Sequence, residues 1–505
     1  MPVTQRLAAG LLLGCLLTTA CGARLTPAQR SAALSQGGGT GGNQVGGETT
    51  GGDTTGGTIG TGGTTGTGGS TGTGGTTGTG GTTGGTTGTG GSSTGQASGG
   101  SKDFTKAPPG GNGGATDVGV TATSITLANV SDVSGAVPGL FEDARFAAQA
   151  YVKYFTARYG TLYGRKLRLL ALDSQLDSGA NRSASIQACS DAFAGVGSVS
   201  AFDQGGADEI KRCGLPDLRG LSTTDQMKAV PNAFPINAAG KGGDRSMGQY
   251  GWAAEKFPQA VKAAAYVYSD GEVTRQLAEQ DIDGAEKLLG YTFIDRVPIG
   301  TAETNYGPAV NRLKSKKAKY VTFVGAYQQA ANLAKEFVKQ GYKPEVYQPT
   351  VTAYTPNYLK QAGAAANGSF VAVAPSLLEE INGNPELQLY AQWLRQVKPN
   401  AVPTAIWQYS WAAVALFVEQ MIKVGPQPKR KALLELIPKV RSYTGNGLFP
   451  ANDVGGRLLT DCTAVVQVQN GKFVRFEPLG VRKYRCKDQV WDTKTQKASP
   501  GFPAA

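Results

Sequence analysis

From residue 118 onward the chain alternates short runs of β-branched and aliphatic residues with longer stretches whose apolar positions recur at helical spacing. The stretch Gly119–Gly135 (GVTATSITLANVSDVSG) sets the frame: a polar turn, a strand over Ile125–Val130, then a Ser/Asp/Gly turn. A helix is predicted over Pro138–Tyr159, a strand over Lys166–Leu172, a helix over Ala180–Phe193, a strand over Val196–Ala201 and another over Pro216–Leu221. The pattern then restarts. Helices are predicted over Gly242–Lys256, Glu272–Leu289, Tyr306–Lys316 and Gln328–Gln340, and strands over Lys262–Tyr268, Tyr291–Val297, Tyr320–Val324, Val346–Thr352 and Ser369–Val373. Helices at Pro385–Gln396, Thr404–Val424 and Lys429–Val440 precede a hairpin, Thr463–Gln469 and Lys472–Glu477, turned at Asn470-Gly471.

Strands alternating with helices, with polar or glycine residues at the strand C-termini, define an α/β chain with parallel sheets. Two such runs in succession predict two lobes, each a mainly parallel sheet flanked by helices, with a ligand cleft between them. In such sheets ligands collect at the carboxyl ends of the strands.

The N-terminal part obeys no such periodicity. Residues 1–21 carry Arg6, an apolar run Leu7–Leu17 and small residues ending in Thr18-Thr19-Ala20-Cys21, the layout of a signal peptide. Cysteine directly after Ala20 resembles a bacterial lipobox, which implies diacylation of Cys21. Ordinary cleavage and free secretion is the alternative. Residues 22–116 are rich in Gly, Thr and Ser and cannot bury enough apolar surface to offset the entropy of ordering. They read as a disordered tether with a root-mean-square reach of about 50 Å.

Composition sharpens this picture. The 505 residues include 73 glycines, no histidine and a formal charge of +12. Without histidine, Ser-His-Asp and Cys-His nucleophiles are excluded, and no G-x-S-x-G elbow occurs, so an envelope hydrolase is disfavoured and a non-enzyme expected. The basic residues are dispersed and not interleaved with aromatics, so nucleic acid is not an expected partner. No cofactor and no metal is implied.

Beyond Cys15 and Cys21, four cysteines remain, in two pairs of equal spacing: Cys189 with Cys213 and Cys462 with Cys486. Of three connectivities, local pairing is favoured by this grouping in an oxidising compartment, each loop contributing about 3–3.5 kcal/mol. A zinc site is the less favoured reading, since no CxxC spacing is present.

Several segments together resemble the type I periplasmic substrate-binding proteins of ABC transporters, the branched-chain amino-acid-binding family. They are the entry strand in Gly119–Gly135, the Asn305-Tyr306 turn, Gly325-Ala326-Tyr327, Thr444-Gly445-Asn446-Gly447-Leu448-Phe449 and Asn470-Gly471-Lys472. Residues 117–490 would form the two-lobed type I fold, with lobe 1 over about 117–238 and 374–445, lobe 2 over about 239–373 and 446–490, and a tail from 491 to 505. The resemblance implies a first-lobe disulfide at Cys189–Cys213; Cys462–Cys486 would be an addition.

It also implies a site. On the first lobe the candidates are Ser134, Asp203, Ser222, Thr223 and Thr224, with Leu140 and Phe141 as an apolar wall. The Ser222–Thr224 run falls where the family holds a ligand carboxylate, although the same residues could simply end a strand and cap a helix. On the second lobe Tyr327, Thr352 and Tyr354 are candidates. Where amino-acid binders present an acid to the ligand ammonium, this chain reads Pro349-Thr350-Val351-Thr352-Ala353-Tyr354. A buried ammonium without a counter-charge is costly, so an α-amino acid is disfavoured unless Asp270 or Glu272 substitutes. The expected function is capture of a small molecule (amino-acid-like, amide or small carboxylate) and delivery to the transmembrane subunits of an ABC permease. The protein is expected as a monomer, lipid-anchored on the outer face of the cell membrane. A surface sensor or scaffold of the same fold is the alternative.

Overall fold

The computed structural model describes residues 103–502, apart from residue 238. The signal segment, Cys21 and most of the Gly/Thr-rich stretch lie outside the described residues.

The first lobe begins with β1 (Ser124–Ser131), α1 (Glu142–Tyr159), β2 (Lys166–Asp173), α2 (Ser178–Asp191), β3 (Ala194–Val196), α3 (Gln204–Cys213), β4 (Asp217–Leu218) and the short α4 (Asp225–Lys228). The second lobe holds β5 (Asp244–Ser246), α5 (Gly248–Lys256), β6 (Ala264–Ser269), α6 (Glu272–Leu289), β7 (Phe293–Ile299), α7 (Gly307–Ser315), β8 (Tyr320–Val324), α8 (Tyr327–Lys339), β9 (Val346–Pro349), α9 (Pro356–Ala362) and β10 (Phe370–Val373). The chain returns to the first lobe for α10 (Pro385–Val397), α11 (Gln408–Val424) and α12 (Arg430–Leu436). It ends in the second with β11 (Ala464–Gln469), β12 (Lys472–Glu477), β13 (Gln489–Asp492) and β14 (Lys497–Pro500).

The two main sheets repeat one topology. Parallel strands run in the order β2-β1-β3-β4 in one lobe and β7-β6-β8-β9 in the other. In each, the chain reverses its direction of travel beside the first strand, so β1/β3 and β6/β8 are switch points whose carboxyl ends open onto a crevice. The Ser124–Ser131 strand is nearly all buried, because helices cover both faces of the sheet. Helix α11 is buried almost all round and packs against α1 and β3 in the core of the first lobe. The hairpin forms as predicted, with Asn470 and Gly471 both at positive φ.

Several details differ from the sequence reading. Within the predicted helix Gly242–Lys256, Asp244–Ser246 form strand β5 because Val490–Asp492 pair with them, and the helix starts at Gly248. Strand β3 ends at Val196, because Gly197 at positive φ sits against the Ser410 backbone and turns the chain. Residues 103–116, assigned to the tether, lie along the first lobe: the buried Arg165 guanidinium donates to the carbonyls of Asn112 (2.6 Å) and Gly114 (2.8 Å). Leu448, Phe449 and Val454 belong to the first-lobe core, so the last crossing between lobes falls later than residue 445. The segment after 490 is not a free tail: β13 pairs antiparallel with β5, and β14 with β13.

Both local disulfides are present. Cys189–Cys213 joins α2 to α3 with Cα atoms 5.9 Å apart, and Cys462–Cys486 clips the chain entering the hairpin to the chain leaving it, at 4.1 Å.

Candidate functional site

At the end of β1, the buried carboxylate of Asp132 ties three strand-end loops together. One oxygen accepts from Ser174 Oγ (2.6 Å), Ser200 Oγ (2.9 Å) and the Leu176 N–H (3.1 Å); the other accepts from the Ala201 N–H (2.7 Å). This anchor fixes the loops that carry Leu140, Phe141, Leu176, Ala201 and Phe202 on the first-lobe rim. The sequence reading did not single out Asp132; an acid directly after a buried strand was the available signal. From the other lobe, Ser269, Asp270, Val273, Leu277, Gly325 and Thr352 face the same space, and a chamber of about 210 Å³ lies between the two rims.

The chamber walls are mainly apolar, and four of its threonine hydroxyls are bonded to backbone carbonyls. Thr223 Oγ1 donates to the Ser200 carbonyl at 2.8 Å, Thr352 Oγ1 to that of Gly325 at 2.7 Å, and Thr301 Oγ1 to that of Asp270 at 3.2 Å. Thr274 Oγ1 donates to the Ser269 carbonyl. Such walls favour an apolar body over a group that needs several hydrogen-bond donors. The carboxylate lining the chamber is Asp270, and it is exposed at the mouth. Residues 349–354 bring no acid to it.

A second compartment, of about 260 Å³, adjoins the chamber through Leu140, Phe141 and Thr352. Tyr327, Tyr354 and Trp407 line it, with Lys398 facing Glu142 (3.4 Å) and Asp143 (3.6 Å). Burial raises the carboxyl pKa of Asp143, with the Lys398 charge opposing it.

The predicted residues therefore separate into groups. Leu140, Thr223 and Thr352 line the central chamber, Tyr327 and Tyr354 the adjoining one, and Ser222 a third compartment that shares Thr223 and Leu277 with the chamber. Tyr354 is buried, with its hydroxyl donating to Glu379 and accepting the Leu378 N–H at 2.9 Å. Three residues do not face the cleft. Ser134 is exposed and donates to Asp173 at 2.6 Å. Asp203 is fully buried and accepts from the Thr223 and Thr224 N–H groups (2.9 and 3.0 Å) and from Thr224 Oγ1 (2.6 Å). Thr224 in turn caps α4 through the Met227 N–H. Burial raises the Asp203 carboxyl, against the pull of Arg219 and these donors. The run Ser222–Thr224 thus caps a helix through Thr224, four residues and more beyond the end of β4 at Leu218, and still sends Ser222 and Thr223 to the cleft. Leu277 and Val273, which the sequence reading missed, come from the cleft-facing side of α6, and helical periodicity alone does not tell that side from one turned to the core.

Two β/α lobes of matching topology, with a small chamber where their strand ends face, define a class: two-lobed binders of small solutes. Residues 124–472 match the family model described as periplasmic binding protein, and the chain belongs to that family. Its architecture is that of the type I members. It is similar to a fatty acid ABC transporter substrate-binding protein from Thermomonospora curvata, with 18% identity, a TM-score of 0.62 and coverage of 79% of this chain and 99% of that one. A leucine-binding protein from Thermotoga maritima matches with 15% identity, a TM-score of 0.58 and coverage of 70% and 97%. An ABC transporter solute-binding protein from R. palustris in complex with 4-hydroxybenzoate matches with 15% identity, a TM-score of 0.58 and coverage of 71% and 98%. The family consists of extracytoplasmic solute-binding proteins, and among the described residues no helix is long and apolar enough to cross a membrane.

Proposed function

We propose that this chain is the solute-binding lipoprotein of an ABC-type importer, and that its ligand is a small molecule with an apolar body, not a free α-amino acid. The observation that carries the reading is the chamber between the strand ends: apolar walls, four threonine hydroxyls already bonded to carbonyls, and, among the described residues that line it, no buried acid for an ammonium. Relatives whose names print fatty acid and 4-hydroxybenzoate as solutes are consistent with such a body. Binding would shift the lobes towards a closed arrangement, and the loaded protein would dock on the permease. Cys21 as an acylated N-terminus would hold it at the outer face of the membrane through the Gly/Thr-rich leash. It acts without catalysis and without a cofactor.

A thermal-shift panel of fatty and aromatic acids, their amides and free amino acids tests this. A ligand at about a hundred times its Kd stabilises by about 2.7 kcal/mol, a clear rise in Tm. Such a rise is expected with apolar-bodied solutes, and tight binding of free leucine instead would overturn the reading. Mass spectrometry of the mature protein tests the anchor: an unmodified N-terminus would remove it.

A further inference from the structure

Where the chain leaves β12, residues 478–483 (PLGVRK) form a loop at the surface of the second lobe. Its two ends are held by one guanidinium: Arg475 Nη1 donates to the carbonyls of Pro478 (3.0 Å) and Lys483 (2.8 Å). Glu380, on the segment that crosses from β10 to α10, accepts Arg475 Nε at 2.6 Å and the Arg482 N–H at 2.8 Å. The backbone of the loop is therefore fixed, yet its apolar side chains stay outside the core: Leu479 is 81% exposed and Val481 62%. Single surface hydrophobics are ordinary in folded proteins. Two on one braced loop make a preorganised apolar tip, which needs no further ordering when a partner arrives.

The adjoining surface supplies charge. A groove of about 520 Å³ runs between this loop and the first-lobe turn that holds Asn446, Gly447 and Phe449, with Arg482, Lys483 and Tyr484 on the loop side. The Arg482 guanidinium lies over Gly447, where a β-carbon would meet it. Among the described residues that line the groove there is no aspartate or glutamate. The ion pairs nearby belong to other cations, Arg475 with Glu380 at 2.6 Å and Lys487 with Glu255 at 2.8 Å. Arg482 and Lys483 enter none among the described residues. Uncompensated cations beside a fixed apolar tip match the layers of an anionic bilayer, phosphate outside and acyl chain beneath. An acidic peptide would answer the cations but not the leucine. We propose that this corner of the molecule docks on an anionic phospholipid surface, Leu479 and Val481 entering the interface while Arg482 and Lys483 hold lipid phosphate at the groove. Such docking requires neither a solute in the chamber nor an acylated Cys21.

A chain beginning at residue 22 keeps every described residue and lacks both the apolar run Leu7–Leu17 and Cys21, so neither can carry it to a membrane. In that chain Leu479→Trp places a reporter at the tip. On vesicles of equal parts phosphatidylglycerol and phosphatidylcholine its emission, taken as the difference from the parent, should shift to the blue and be quenched by brominated acyl chains. In co-sedimentation the parent should bind these vesicles about ten-fold more tightly than pure phosphatidylcholine, a preference that salt weakens. Arg482→Gln with Lys483→Gln should bring that preference close to one. Leu479→Asp with Val481→Asp should reduce the affinity about ten-fold or more. These side chains are exposed, so each variant should keep the Tm of the parent. An introduced tryptophan that stays in water on the mixed vesicles, equal binding to both vesicle types, or an affinity that survives the aspartate pair overturns the docking site.

Discussion

Asp132 shows how one side chain can set a binding rim without touching the ligand. Its four hydrogen bonds hold the loops after β1, β2 and β3, so Asp132→Ala leaves two hydroxyls and two N–H groups unpaired at once. A loss of about 3 kcal/mol in stability is expected by chemical denaturation, together with weaker ligand binding. Asp173 does related work nearer the surface. Burial pushes its carboxyl up, but the Ser134 hydroxyl and the N–H groups of Gln175, Val133 and Ser134 outweigh it, and the pKa is lowered. With the folded value below the unfolded one of about 3.9, the stabilisation is fully present above that pH and is lost as pH falls through the folded value. Asp173→Asn should therefore lower the Tm at neutral pH and flatten its decline as pH falls below about 4. At this scale the sequence was only partly legible. A polar residue after an apolar strand marks a strand end, but Asp203 and Thr224 turned inward to pair with each other while Ser222 and Thr223 turned outward, and side-chain direction is decided by neighbours distant in sequence.

Elements were more legible than residues, because hydrophobic periodicity is a local signal and helices such as α6 and α8 carry it over many turns. What escaped were short pieces whose partners lie far away. Strand β5 has three residues (Asp244–Ser246) and is a strand because Gln489–Asp492 lies beside it. The Asn470-Gly471 hairpin, by contrast, was legible because its turn chemistry is contained in two residues. The Cys462–Cys486 disulfide joins the two chain segments that flank this hairpin. Replacing both cysteines by serine is expected to cost about 3 kcal/mol, read from denaturant unfolding, with the second lobe affected first.

At the scale of the whole molecule the two lobes were legible as a repeated alternation, whereas the folded boundary was not, since Gly- and Pro-rich residues 103–116 gave no sign that a buried arginine would bind their carbonyls. A chain beginning at residue 117 strips Arg165 of two acceptors and should lose about 2–4 kcal/mol relative to one beginning at 103, measured by urea denaturation. Asp225, which pairs with Lys228 in the first lobe, also accepts from Gln276 and Gln280 of the second and so links the lobes directly.

The central claim is that an apolar-bodied solute is enclosed where the strand ends of the two lobes face each other. Ala201 contributes only a methyl group to that chamber, while its N–H is fixed by Asp132. Ala201→Trp fills the space without disturbing that bond. Calorimetric titration of the best apolar-bodied ligand from the panel into this variant is the most direct test. The account predicts a loss of affinity of a hundred-fold or more with an unliganded Tm close to that of the wild type. Unchanged affinity in the filled variant would place the ligand elsewhere and contradict it.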